Sequence, residues 1–363
     1  MASNRAKNKI LHNKSEMKKH PRKGWDRMKI MVDAMGGDNA PEEIVKGCID
    51  ALKMKDGFEI ELIGIEDEIK KCMDKYNFES KRIIITHTPE VIYNDDKPTV
   101  SIRRKKNSSM VTGLRKIRDN EGEIFISAGS TGALLAGTLL IAGRIEGVLR
   151  PALAPVVPSI SGGTMIVDAG MNTRCRPENY VQFAIMGSSY MEKVYKKENP
   201  RVGLVNIGTE DEKGNAVLRE ALSLLRKCDL NFIGNIEGRD IAEGKVDVAV
   251  CDGFTGNAML KMMEGTGKYF FHHMKRIFNN SFLSKISALL IKAHLKKLKD
   301  SVDPEIAGGT PILGANGLIF KCHGNSGAKA IQNTILNAYR ISDTGFVDEI
   351  RKRITSMEVC IDD

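Results

Sequence analysis

The chain has 363 residues, 42% of them apolar and 28% charged, the balance of an ordinary globular protein long enough for one large domain or two. No apolar run reaches the roughly 20 residues of a membrane-spanning helix. No signal-type apolar segment opens the sequence, so a cytoplasmic protein is expected. The formal charge of +9 is local: residues 1–29 hold ten basic and two acidic side chains, leaving 45 basic against 44 acidic over the other 334. A nearly neutral body argues against a nucleic-acid-binding face. Residues 1–27 read as a solvated, disordered basic tail, with weak attraction to anionic lipid or RNA as the other reading. The seven cysteines are scattered, with no C-x-x-C pair and no zinc-type Cys/His spacing, and read as reduced thiols in a chain without a metal site. Cys175, after a Gly/Asn loop, reads as packing.

From residue 28, β-branched apolar runs alternate with helical patterns. Strands are predicted at Lys29–Asp33, Glu59–Ile63, Arg82–Thr86, Glu123–Ser127, Thr164–Asp168, Arg201–Asn206, Val246–Cys251 and Leu318–Cys322. Pro41, with Glu42 and Glu43 in the first turn, opens the first helix. Residues 143–163 are punctuated by four glycines and three prolines. They either join two halves of the molecule or bring a second strand pair into the sheet. Residues 255–299 read as one or two long protruding helices. The alternation predicts an α/β fold over 28–355, a doubly wound, mostly parallel sheet with helices on both faces.

Within 282–299, Lys285, Lys292, Lys296 and Lys299 share one helical side, and Leu283, Ile286, Leu290, Ile291 and Leu298 lie broadly on the other. Such a basic amphipathic helix either lies in a membrane interface or packs on the body or a second subunit.

Six strand ends run into short loops rich in Gly, Asp, Asn, Ser and Thr before a helix. They are residues 33–39, 127–132, 168–172, 206–211, 252–257 and 323–327. Junctions of this kind gather at the carboxyl edge of a doubly wound sheet, where ligands bind, and helix starts favour anions. The expected ligand is a phosphate-bearing or otherwise anionic substrate. No G-x-G-x-x-G and no G-x-x-x-x-G-K-[ST] occurs, which disfavours Rossmann NAD binding and P-loop chemistry. The single acidic residues of these loops would hold a metal only if they converged, and turns prefer the same residue types. Ser130 reads as a helix cap or a donor. The run Arg103–Lys106, followed by Asn107-Ser108-Ser109, is either a solvated turn or a source of cations and hydroxyls for a phosphate or an acidic partner. Lys261, one turn after Asn257, either points along the site or covers apolar surface with its stem.

Several stretches, taken together and in order, resemble the bacterial phosphate acyltransferase family, the acyl-ACP:phosphate acyltransferases of phospholipid synthesis. They are Asp33-Ala34-Met35-Gly36-Gly37-Asp38-Asn39-Ala40-Pro41, Arg104-Lys105-Lys106-Asn107-Ser108-Ser109-Met110, Ser127-Ala128-Gly129-Ser130-Thr131-Gly132-Ala133, Arg150-Pro151-Ala152-Leu153-Ala154, residues 206–214, Asp252-Gly253-Phe254-Thr255-Gly256-Asn257 and Lys321-Cys322-His323-Gly324. The resemblance spans about Met28 to Tyr339. It departs in the long basic tail, in Ser130 where Asn is expected, and in Asn325 and Gly327.

The resemblance implies a reaction in which acyl-ACP and inorganic phosphate give acyl-phosphate and free ACP. It implies a homodimer at the cytoplasmic membrane surface, a fold related to isocitrate and isopropylmalate dehydrogenases and to phosphotransacetylases, and delivery of the product to a membrane glycerol-3-phosphate acyltransferase. No cofactor is implied, because phosphate is already a nucleophile and a thioester an activated donor. The expected catalytic set is Lys261, His323 and Asn257, with His323 protonating the thiolate, orienting phosphate, or simply packing. The expected phosphate site draws on Asp33, Gly36, Gly37 and Asp38; Gly129, Ser130, Thr131 and Gly132; Asp168 and Asn172; Gly208, Thr209, Glu210, Lys213 and Gly214; and Asp252, Gly253, Thr255 and Gly256. Membrane contact falls to Leu283, Ile286, Leu290 and Ile291. The other readings are a phosphotransacetylase using short acyl-CoA, a dehydrogenase of related fold, and a non-catalytic membrane-surface scaffold.

Overall fold

A computed structural model describes residues 27–296 and 308–361, with side chains as far as Ser356. The expected tail, Arg27 apart, and Leu298 and Lys299 lie outside the described residues. All eight predicted strands form, each within two residues of its expected ends, but they divide between two sheets rather than one. The first has the order β3 (Ile83–His87), β2 (Phe58–Gly64), β1 (Met28–Asp33), β4 (Ile124–Ser127), β12 (Leu318–Lys321), β11 (Thr310–Leu313) and β5 (Ala152–Leu153). The second has the order β6 (Val156–Val157), β7 (Thr164–Val167), β10 (Val248–Val250), β8 (Val202–Val205) and β9 (Phe232–Ile236). Only the pairs made by β11 and β6 are antiparallel.

The irregular stretch 143–163 explains the division: it links the two sheets instead of adding a strand pair to one of them. Ala154 donates its N–H to Pro311 O on the first sheet, while the next carbonyl, Pro155 O, accepts from Ile166 N on the second. The chain thus crosses between sheets within two residues, giving one short strand to each, and returns only after residue 253.

The inner strands are buried on both faces, as parallel strands under helical layers must be, while the edge strands β3 and β9 are partly exposed. Ile30 and Val32 of β1 face a core that the second sheet lines with Met165, Val167, Val248 and Val250, whereas Met31 faces a separate cluster with Phe125 and Ile319. Helices Glu42–Met54, Pro177–Tyr195 and Ala328–Ser342 contribute Ile49, Phe183 and Ile335 to the shared core. Ile166 and Ala249 face a third cluster, where Met259 and Met263 of helix Gly253–Asn279 pack.

The amphipathic segment is not one helix. A helix spans Phe282–Leu290, none of its residues is buried, and the backbone turns at Ile291 before a further short helical stretch. The two-faced pattern of lysines and leucines therefore holds only as far as Leu290.

Candidate active site

Three adjacent strand ends of the first sheet build one half of the site. Ser127 closes β4 in register with Lys321, which closes β12, and its Oγ donates to Asp33 Oδ2 at 2.7 Å, at the end of β1. The same hydroxyl accepts the Gly129 N–H at 3.1 Å, and Met35 N donates to Asp33 Oδ1. Ser109 completes the shell around Asp33. Burial pushes the Asp33 carboxyl up, against these hydrogen bonds and the Lys321 charge. Burial likewise pushes the Lys321 ammonium down, against the pull of Asp33 and Asp38. The loops meet because glycine lets them: a Cβ on Gly36 would stand 2.5 Å from Asp33 Oδ2 and 2.7 Å from Gly129 N. Gly37 adopts φ +106° beside Gly324 O, which accepts the Asp38 N–H at 2.7 Å.

The second sheet supplies the other half. Asp168 is fully buried and accepts from Leu153 N, Met171 N, Asn172 N and Asn172 Nδ2 at 2.6–3.1 Å. Burial raises its carboxyl and these donors oppose the rise. Gly253 and Gly256 pack directly on this turn, where a Cβ on Gly256 would overlap Asp168 O. Gly170 stands against the Asn257 side chain. Cys175 donates its thiol to Asn172 O, and burial pushes it up to about 12, so it is no thiolate.

Helix Gly253–Asn279 connects the halves. One turn past Asn257, Lys261 Nζ pairs with Glu264 Oε2 at 2.8 Å, and Glu264 Oε1 lies 3.7 Å from His323 Nε2. His323 also feels Lys261, Lys321 and Lys268. Of the charges acting on this imidazole, the three lysines oppose its protonation and Glu264 favours it. Burial, first, and these cations push His323 below its ordinary value of 6.5, so it is mostly neutral at pH 7. Neutral imidazole suits orientation of an anion better than donation of a proton. Protonation would draw the ring onto Glu264. We expect kcat/KM for the acyl donor to show, beyond the protonation of phosphate common to both enzymes, an acid limb with a midpoint below 6.5 that is absent from the pH profile of His323→Gln.

The loop after β8 borders a separate set of residues. With the start of helix Gly253–Asn279 it encloses a cavity of about 300 Å³ lined by Val205, Asn206, Ile207, Gly214, Asn215, Leu218, Cys251, Asp252 and Thr255. Gly208 packs on Lys213, while Thr209 and Glu210 are exposed; the Glu210 carbonyl is held by Asn235 Nδ2. Two helix starts border the cavity, yet both are capped from within. Asn215 Oδ1 accepts Leu218 N, and Asp252 Oδ1 accepts Phe254 N and Thr255 N, while Asp252 Oδ2 takes the Thr255 hydroxyl. Thr131 and Gly132 are exposed, Gly132 against Pro98, and Ser130 precedes its helix without a side-chain cap. Of the basic run, Lys105 bonds Asp96 and Arg103, Arg104 and Lys106 are exposed; Ser108 caps the following helix.

Sequence reasoning gave no role to Ser127, Lys321 or Glu264, and read Ser109 only as a hydroxyl of the basic run rather than a partner of Asp33. Ser127 and Lys321 end predicted strands, so aligning those ends across β4 and β12 would have found them. Glu264 was legible only as the i+3 neighbour of Lys261.

The fold is that of an α/β protein, and its candidate ligand site lies at the carboxyl edges of two sheets. The chain belongs to the phosphate acyltransferase family. The family model described as fatty acid synthesis protein matches residues 28–349. The chain is 51% identical over 332 residues to the phosphate acyltransferase of Acetivibrio thermocellus, covering 92% of this chain and 98% of that one. It is 47% identical over 330 residues to that of Thermoanaerobacter pseudethanolicus, covering 91% and 98%. Among solved structures, a phosphotransacetylase from Streptococcus pyogenes aligns over 87% of this chain and 94% of its own with TM-score 0.61 at 15% identity. At that identity the likeness concerns the fold alone.

Proposed function

We propose that this protein transfers a long-chain acyl group from acyl carrier protein to inorganic phosphate, yielding acyl-phosphate for glycerol-3-phosphate acylation. The observation that carries the reading is that the glycine-lined ends of β1 and β4 meet the end of β12, where His323 follows Lys321 and faces the Lys261–Glu264 pair. A phosphate held there has cations for its charge. A phosphate oxygen attacks the thioester carbonyl, a C–O bond forms, the C–S bond breaks and the thiolate leaves with its electron pair. With a thiol pKa near 8.5, the leaving group needs no protein acid. Asn257, one turn away on the same helix, is placed to donate to the developing oxyanion.

Family membership supports an acyl-phosphate product over the dehydrogenase and scaffold readings. The donor is tested by offering palmitoyl-ACP, palmitoyl-CoA and acetyl-CoA in parallel with phosphate. The carrier-linked donor should be fastest, and preference for acetyl-CoA would replace this reading with that of a phosphotransacetylase.

We place the enzyme in the cytoplasm as a homodimer that touches anionic membrane from its periphery. No helix among the described residues is long and apolar enough to cross a membrane. Phe282, Leu283, Leu289 and Leu290 are 70–79% exposed, and Ile286 and Ile291 join them. The exposed Met262, Tyr269, Phe270 and Ile277 of the long helix support cover by a second copy. Ile286→Glu with Leu290→Glu should abolish sedimentation with anionic vesicles while leaving acyl-phosphate formation intact in detergent. Undiminished vesicle binding would remove the assignment.

A further inference from the structure

Glu264 holds the same groups that an incoming anion would need. Its Oε2 accepts from the Lys261 ammonium at 2.8 Å, and its Oε1 stands 3.7 Å from His323 Nε2. The contact spans the site: the helix bearing Glu264 follows β10 of the second sheet, and His323 follows β12 of the first. The carboxylate is only 19% exposed, on a helix whose buried residues are Gly253 and Gly256 alone. It presents to Lys261 and His323 what a phosphate would present, oxygens sharing a negative charge.

Phosphate and Glu264 are therefore rivals. A phosphate within hydrogen-bond reach of Lys261 Nζ would stand beside the Glu264 carboxylate, and two anions at that range repel where solvent is partly excluded. The carboxylate has a second seat. Lys268 lies four residues on, one turn along the same helix, and glutamate before lysine at that spacing is the favourable order for a helical pair. Lys268 is exposed, has no ion pair among the described residues, and its charge already reaches His323. Leaving Lys261 costs little, because the lysine side chain of that pair is 55% exposed.

We propose that Glu264 sets the enzyme's affinity for phosphate by competing with it: the carboxylate and the phosphate hold Lys261 and His323 alternately, and phosphate moves Glu264 onto Lys268. The inference rests on the phosphate-site reading above and adds an internal competitor to it.

Phosphate binding to the whole enzyme is measured by calorimetry without acyl donor. Glu264→Gln keeps the shape and loses the charge, and should bind phosphate about fivefold more tightly, the upper worth of one partly exposed ion pair. In turnover its KM for phosphate should fall by the same factor, with the KM for the acyl donor unchanged. Glu264→Ala, with the same expected sign, serves if Glu264→Gln fails to fold. Lys268→Ala should weaken phosphate binding more in the wild type than in Glu264→Gln, where no carboxylate needs a second partner. A Glu264 that merely holds Lys261 and His323 in place predicts the opposite for its own variants, weaker binding and a raised KM for phosphate. That result, or unchanged phosphate affinity, overturns the proposal, and so does an equal effect of Lys268→Ala in the two backgrounds. A wild type that binds no phosphate overturns it as well. The expected binding pattern in an enzyme that yields no acyl-phosphate would instead overturn the functional reading and leave Glu264 assigned.

Discussion

Lys261→Met should lower kcat/KM for phosphate by about 100-fold and leave the folded protein intact. A charge-assisted hydrogen bond to an anion is worth about 1.5–3 kcal/mol, or roughly 10- to 150-fold in rate. The loss should appear at limiting phosphate, because the lysine acts on the nucleophile and not on the acyl donor. The fold should hold because the side chain is 55% exposed and its one ion pair, with Glu264, is a partly exposed contact of small worth. Lys261→Arg should recover part of the activity, since the charge survives while the reach changes. Initial rates over a phosphate series and a melting curve check both halves. Unchanged turnover at limiting phosphate removes Lys261 from the site.

Asp168→Asn should cost about 3 kcal/mol of stability and nearly all activity. The carboxylate takes N–H groups from Leu153, Met171 and Asn172 and the Asn172 amide, and is buried among them. Asparagine is nearly isosteric but presents an NH2 in place of one oxygen. That NH2 must face donors, leaving one or two unsatisfied at about 1–3 kcal/mol each. With an unfolding entropy of about 2.1 cal/mol/K per residue over 363 residues, roughly 1.3 degrees per kcal/mol, the melting temperature should fall by about 4 °C. The activity loss follows from geometry. The Asp168 turn is the surface on which Gly253 and Gly256 seat the start of the helix carrying Asn257 and Lys261. Gly256→Ala should reproduce the activity loss by a different route, pushing the helix off the Asp168 carbonyl. Calorimetry beside the rate assay checks the pair. An Asp168→Asn enzyme with wild-type melting and turnover would show that the turn does not hold the helix in place.

These two residues differ in how they could be read from sequence. Asp168 stood at the end of a strong β-branched run, so its place at the sheet edge was legible; that it is fully buried among four donors was not. Lys261 was visible as one turn beyond Asn257, yet its partners Glu264 and His323 lie 3 and 62 residues away along the chain. The eight predicted strands were legible as continuous apolar runs, most of them buried on both faces. The four missed ones each lack that signal. β5 and β6 are two residues long. β11 contains Pro311, which argues against a strand, and pairs antiparallel beside β12. β9 lies at a sheet edge with Gly234 at φ +98° and a half-exposed face. The division into two sheets hinges on those short strands, so the sequence left it as one of two alternatives for residues 143–163. The Asp33–Ser127–Lys321 row is a product of register between β1, β4 and β12, which no local pattern encodes.

The most direct test of the account is chemical. Palmitoyl-ACP is incubated with the enzyme and hydroxylamine, with and without inorganic phosphate, and palmitoyl hydroxamate is measured. The account predicts hydroxamate that depends on both enzyme and phosphate, with free ACP released in equal amount. ACP release at the same rate without phosphate, or no phosphate-dependent hydroxamate at all, would contradict it.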